Sequence, residues 1–431
     1  GQDIDGETAY DYFGASVSLS SDGSKLAIGA PGYDGNTNYS VVGNVRIFQY
    51  QVISGTATWT QLGPSIVGEA NADTSGWDVS LSSDGSRVAI SGQNNDGNGN
   101  NSGHVRVFQY QVISGTATWT QLGADIDGEA ADDSFGIETS LSSDGSIVAI
   151  GAGGNNGANG ADSGHVRVFR YQVISGTATW TQLGQDIDGE AANDRSSKLS
   201  LSSDGSRVAI GAILNDGNGS DSGHVRIYDY NGSAWVQVGG DIDGEAAGDR
   251  SGGSVSLSSD GSRVAIGADR NDAGGDNAGH VHIYDYNGSA WVQVGADIDG
   301  EAAGDRSGRP VSLSSDGSRV AIGGPDNDGN GSDSGHVRVY SISSGESYQY
   351  TWDIDSGSIP PSGTYYATVS GTTVATGGAY SGTESITFIL DTSSPTVTLT
   401  STDIDNVVNA SQVVTITAGF SKAMTATPTI S

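Results

Sequence analysis

The sequence contains no cysteine, so neither a disulfide staple nor a thiolate ligand or nucleophile is available to it. Secreted animal domains of this size usually carry disulfides, so a bacterial exoprotein held together by a large core is the expectation instead. Basic residues are scarce, 18 against 51 acidic ones, giving a formal net charge of −33. A field of that sign repels phosphate backbones, which excludes nucleic acid, and it disfavours anionic membrane surfaces. Calcium, cationic surfaces and neutral glycans stay open as partners, and solubility alone is a sufficient reason for the acidity. No apolar run approaches the length of about 18 residues that membrane insertion needs. No signal peptide opens the chain. Gly1 falls inside a repeat, so a processed or truncated N-terminus is expected. Helical periodicity, a serine-centred elbow and a His-Glu-x-x-His motif are also missing.

Repetition is what the 431 residues have in its place. Ser-Asp-Gly-Ser recurs with Asp at 22, 84, 144, 204, 260 and 316, at intervals of 62, 60, 60, 56 and 56 residues. The interval shortens because Tyr-Gln-Val-Ile-Ser-Gly-Thr-Ala-Thr-Trp at 50–59 becomes Tyr-Asn-Gly-Ser-Ala-Trp at 230–235. Loop-length change inside a fixed frame is how repeat folds vary. One copy reads as four strands, at 255–258, Arg263–Ala268, His280–Tyr286 and 291–294. Asp260-Gly261 and Asn287-Gly288 are hairpin signals, because both positions of such a turn tolerate positive φ. Four antiparallel strands per copy describe a propeller blade. Runs such as Val17-Ser18-Leu19-Ser20 suit the crowded innermost strand, and Trp59, Trp119, Trp180, Trp235 and Trp291 suit the space between blades.

Composition changes near Ser343, where 365–370, 385–390, 396–400 and 413–417 become Thr/Val/Ile/Tyr-rich alternating strands. The expected fold is all-β: a propeller of six four-stranded blades over 1–345, with seven as the alternative, followed by β-sandwich segments at 346–394 and 395–431. The sixth blade is expected to be closed by 348–353 or by 1–5.

Phe13-Gly14 followed one hairpin later by Gly29-Ala30-Pro31 resembles the FG-GAP repeat of integrin α-subunit propellers. The nearest variant is the bacterial and algal one, in which Gly-Glu-Ala-Ala-Gly-Asp precedes Phe-Gly; 244–249 and 300–305 carry that stretch. The resemblance covers residues 1 to about 342, with drift in later copies to Ser251-Gly252 and Gly267-Ala268-Asp269. It implies a propeller whose one face carries ligand recognition. The integrin calcium loop does not carry over, because Ser-Asp-Gly-Ser is too short for six to eight oxygen ligands. The tail resembles bacterial immunoglobulin-like modules, with 346–392 like the second half of a module and 396–431 like the first.

Two acidic blocks recur. The inter-blade connection carries Asp125, Asp127, Glu129 and Asp133; Asp186, Asp188, Glu190 and Asp194; Asp241, Asp243, Glu245 and Asp249; and Asp297, Asp299, Glu301 and Asp305. The loop between strands two and three carries Asn215, Asp216, Asn218 and Asp221, with Asn327, Asp328, Asn330 and Asp333 equivalent. In a four-stranded meander both blocks fall on one face of the toroid. Repulsion among so many carboxylates points to bound cations, calcium first, at the sixteen connection residues; the competing reading is that Asx and Gly simply make turns there. His104, His165, His224, His280 and His336 share one repeat position in Gly-His-Val, while His282 alone lies off register where other copies have arginine.

The functional expectation is a secreted or cell-surface adhesin, non-enzymatic, with a propeller head binding a surface glycan or extracellular protein. A structural module of a self-assembling filament or matrix is the alternative. A polysaccharide-active enzyme comes third, and a single asymmetric pocket that breaks the repeat symmetry would favour it.

Overall fold

A computed structural model of the chain describes residues 2–34 and 41–342, together with the backbone of five later strands. It separates into two compact units, Gly1–Ser341 and Ile342–Ser431. The described residues are all-β.

The first unit is a β-propeller of six sheets. Each begins with the Asp-Gly hairpin. In the second blade Asp84 Oδ1 accepts from Ser82 Oγ at 2.8 Å and from the Ser86 backbone N–H at 2.8 Å, and Gly85 takes φ 61°. These bonds clamp the turn, and Val79–Leu81 then pairs with Arg87–Gly92 through Leu81↔Val88. The same clamp serves all six hairpins and holds their carboxyls below the usual range, Asp22 and Asp316 at about 2.

The third strand carries a finding that the sequence does not announce. Its second half pairs with the fourth strand, but its first residues pair with two residues of the connection. His165–Ile174 takes Thr177–Gln182 beside Phe169–Ile174 and Ile187–Asp188 beside His165 and Val166. The expectation of four strands is therefore corrected to five in each of the first five sheets. A two-residue strand is too short to show alternation.

Blades are joined by hydrogen bonds as well as by packing. The inner-strand hydroxyls of Ser18, Ser80, Ser140, Ser200 and Ser256 each accept from the Leu N–H of the next blade, at 2.9–3.2 Å. Small side chains are thus needed at the axis for bonding as much as for space. Farther out, Val45 and Ile47 of one blade meet Val79 and Leu81 of the next in a single core cluster. Trp119, Trp180, Trp235 and Trp291 reach back to carbonyls of the preceding blade at 2.7–3.0 Å. Gly123, at φ 75°, leaves room for one of them: an added Cβ would lie 3.0 Å from Trp180 Cδ1.

The row of blades has two unlike ends. Val17 and Leu19 of the first blade are 60% and 57% exposed, and Val337 and Val339 of the sixth are 70% and 66% exposed. Their counterparts inside the row, such as Val79, Leu81, Val281 and Ile283, are buried. The sixth sheet has three strands among the described residues. Among the described residues neither expected segment pairs with it. Tyr350–Asp353 pairs with Thr396–Leu399 in the second unit, and Asp5 lies on the first blade, its carbonyl accepting from Arg46 at 2.6 Å. In the second unit Thr364–Ser370 pairs with both Glu384–Ile389 and Thr415–Gly419. The immunoglobulin-like readings of 346–394 and 395–431 otherwise fall outside the described residues.

Candidate functional site

The connection and the Asx loop do share one face. Asn155, Asn215, Asn271 and Asn327 donate to Asp133, Asp194, Asp249 and Asp305 at 3.0–3.2 Å. Those four carboxylates are buried. Each also takes a backbone N–H of its own connection, as Asp133 does from Ala130 at 2.9 Å. They are turn caps that tie connection to loop. Asp125, Asp186, Asp241 and Asp297 accept from a glutamine four residues earlier, at 2.6–2.7 Å. Asp127, Asp188, Asp243 and Asp299 occupy the two-residue strand, opposite the repeat histidine. Burial raises the carboxyls of Asp127 and Asp188 above the ordinary range.

The glutamates go elsewhere. Glu129, Glu190 and Glu301 pair with Arg167, Arg226 and Arg338 of the following blade at 3.3–3.4 Å. Across the histidine between them, the glutamate of one connection meets the aspartate of the next: Glu69, His104 and Asp125; Glu129, His165 and Asp186; Glu190, His224 and Asp241. Each of these glutamates is therefore brought beside an aspartate of a different connection. Only the shared phase of Gly-His-Val and Gly-Glu could have signalled this pairing. The histidines are buried, and desolvation pushes the imidazoles of His104 and His165 down to about 4. Such rings are neutral at physiological pH.

The fifth blade departs from the pattern. Arginine is absent at 282, and Glu245, His280, His282 and Asp297 bring one ligand atom each to within 4.8 Å of one another. His282 Nε2 lies 3.0 Å from Asp297 Oδ1 and 3.8 Å from Glu245 Oε1, and His280 Nδ1 lies 3.9 Å from Glu245 Oε2.

A second departure sits at the axis, where the first strands of successive blades touch. The position before the Val-Ser-Leu run reads Ser16, Asp78, Glu138, Lys198, Ser254 and Pro310 around the ring. At two steps a serine does what the repeat requires: Ser16 Oγ accepts from Val79 N–H and Ser254 Oγ from Val311 N–H, both at 3.0 Å. Asp78 stands in for serine, accepting from Thr139 N–H at 2.7 Å and from Ser16 Oγ at 2.8 Å. Glu138 binds Lys198 Nζ at 2.9 Å. Desolvation, with the charge of Glu138 added, pushes the Asp78 carboxyl up to about 7. Glu138 in turn holds the Lys198 ammonium above its ordinary range. Three ionisable groups in a ring otherwise made of serine and proline are visible once the repeats are stacked, but their positions next to the axial run were not singled out from sequence.

No protein-family model and no curated protein matches the sequence. Solved propellers do match its fold. A protein assigned as a 6-phosphogluconolactonase of Bacteroides uniformis is 14% identical with a TM-score of 0.47, over 76% of this chain and 80% of that one. The periplasmic gluconolactonase of Pseudomonas aeruginosa is 16% identical with a TM-score of 0.46, over 76% and 81%. The propeller of Dos1 is 15% identical with a TM-score of 0.40, over 75% and 69%. Two expectations are corrected here, the adhesin and the absence of enzyme activity. The first two neighbours bear the names of enzymes, and nothing that they share with this chain points to adhesion.

Proposed function

We propose that the chain is a hydrolase acting on a carbohydrate-derived ester, a sugar lactone being the simplest case, at the axial cluster of Asp78, Glu138 and Lys198. The observation behind this reading is the Asp78 carboxyl, poised at about 7 among groups the repeat does not require. A base poised near the operating pH combines correct protonation with useful basicity. Asp78 takes a proton from water, whose oxygen adds to the substrate carbonyl. Lys198 stabilises the oxyanion that forms, with Glu138 holding its ammonium in place. Collapse breaks the ring C–O bond, and the departing oxygen takes the proton from Asp78, leaving a hydroxy acid and a regenerated base. The substrate is met outside the cell, in keeping with the composition.

The test is turnover by the purified chain on gluconolactone and on ester-bearing polysaccharides. Activity is expected to rise as Asp78 ionises, with a midpoint near pH 7, and Asp78→Asn is expected to lower kcat by about a hundredfold. An Asp78→Asn protein that folds and turns over as well as the wild type would refute the assignment, as would a wild type inert on the whole panel.

A further inference from the structure

We infer that the fifth blade holds a zinc-class divalent cation between His280, His282, Glu245 and Asp297. The argument begins with what arginine does in the other blades. At Arg106, Arg167 and Arg226 a guanidinium lies 3.2–3.4 Å from the glutamate and places a cation inside the cluster of carboxylate and histidine. His282 replaces that guanidinium with an imidazole. Glu245 and Asp297 are left facing two rings, and no arginine or lysine is paired with either among the described residues. Two carboxylate charges without a counter-charge repel one another, and a divalent ion would balance both.

The ring nitrogens point the same way. His280 and His282 are 2% and 5% exposed, yet Nδ1 of His280 has no hydrogen-bond partner, and Nε2 of His282, although 3.0 Å from Asp297 Oδ1, makes no bond of hydrogen-bonding geometry with it. A buried nitrogen in that state costs free energy unless something accepts its lone pair. His282 Nδ1 lies 3.3 Å from the Tyr284 hydroxyl. With Nδ1–H donating to that oxygen, Nε2 presents its lone pair to the cluster, the outer-shell arrangement usual for metal-bound histidine. Two nitrogens and two carboxylate oxygens suit a tetrahedral site with bonds of roughly 2.0–2.2 Å. Calcium prefers six to eight oxygens and is poorly served by imidazole.

The experiment uses the full chain, stripped with chelator and then titrated with zinc alone. One equivalent is expected to bind and to raise Tm, and cobalt in its place should give the intense visible bands of a tetrahedral site. His282→Arg restores the arginine of the repeat and is expected to weaken zinc binding more than about tenfold. Asp297→Asn is the second variant, expected to weaken it in the same direction. Failure of the wild type to bind zinc overturns the inference, as does undiminished binding by both variants, or calcium binding there in preference to zinc. Neither result touches the axial cluster, which Asp78→Asn examines separately.

Discussion

Blades four and five are built alike around the third strand, where one exchange stands at the centre. His224–Tyr230 and His280–Tyr286 are seven-residue strands in the same register, each with a buried histidine first and a two-residue connection strand alongside. Blade four has Arg226 at the third position, paired with Glu190 at 3.3 Å; blade five has His282, with Glu245 at 3.8 Å. The cap beside the exchange is kept, with Asn215 reaching Asp194 and Asn271 reaching Asp249, both at 3.0 Å, while Asn218 and Ser222 of the blade-four loop become Gly274 and Ala278. A repeat can therefore exchange an ion pair for a metal-type cluster at a single residue, because the frame and not the pair positions the other ligands.

The largest effect should come from breaking the difference outright. Arg226→His rebuilds in blade four the set found in blade five, from Glu190, His224 and Asp241 with the new imidazole. A second zinc equivalent is expected where the wild type has none, read by metal content after dialysis.

A smaller effect should separate the two glutamates. Glu190→Gln leaves the buried Arg226 guanidinium without its carboxylate. That is expected to cost about 1 kcal/mol, reduced from the value for a fully buried pair because Glu190 is 43% exposed. Glu245→Gln removes one of two mutually repelling carboxylates, so in metal-free buffer it should leave Tm unchanged or higher. Equal losses in the two variants would mean that the exchange of arginine for His282 has not changed what the glutamate does for stability.

The smallest effect should be common to both blades. Asp204 and Asp260 are held below the ordinary carboxylate pKa by hydrogen bonds from Ser206 and Ser262 and from Ser202 and Ser258. A depressed folded-state pKa stabilises above the unfolded value of about 4 and loses that contribution as pH falls through the folded value. Acid melts should therefore show a loss beginning below about pH 4. Asp204→Ala and Asp260→Ala should lower Tm alike at pH 7 and blunt the acid dependence alike.

Much of this molecule was legible as period. The Ser-Asp-Gly-Ser spacing located the first hairpin of every blade, and the crowded Val-Ser-Leu run located the axis. Tryptophans 119, 180, 235 and 291 lie between blades as expected. What the period hid was anything that joins one copy to the next. Ile187–Asp188 reads as loop because its pairing partner, His165–Val166, lies more than twenty residues back. Glu129 reads with Asp125 because they are four apart, although its spatial partners are Arg167 and Asp186. Asp78, Glu138 and Lys198 belong to three copies and meet only when the blades turn about a common axis. Local chemistry appears along a chain, whereas contact between copies must be read down a column of aligned repeats.

The two unlike ends of the row have a colloidal consequence. Internal interfaces are built from one pair of faces, and the outward-facing valines at 337 and 339 offer the first half of that pair while Val17 and Leu19 offer the second. Two molecules meeting by these faces would match head to tail. A net charge of −33 sets a barrier between them whose reach shrinks from about 30 Å in 10 mM salt to about 10 Å in 100 mM. The acidity that the sequence spends so freely is therefore a dispersant, and salt or acid is the agent that would turn a clear solution cloudy.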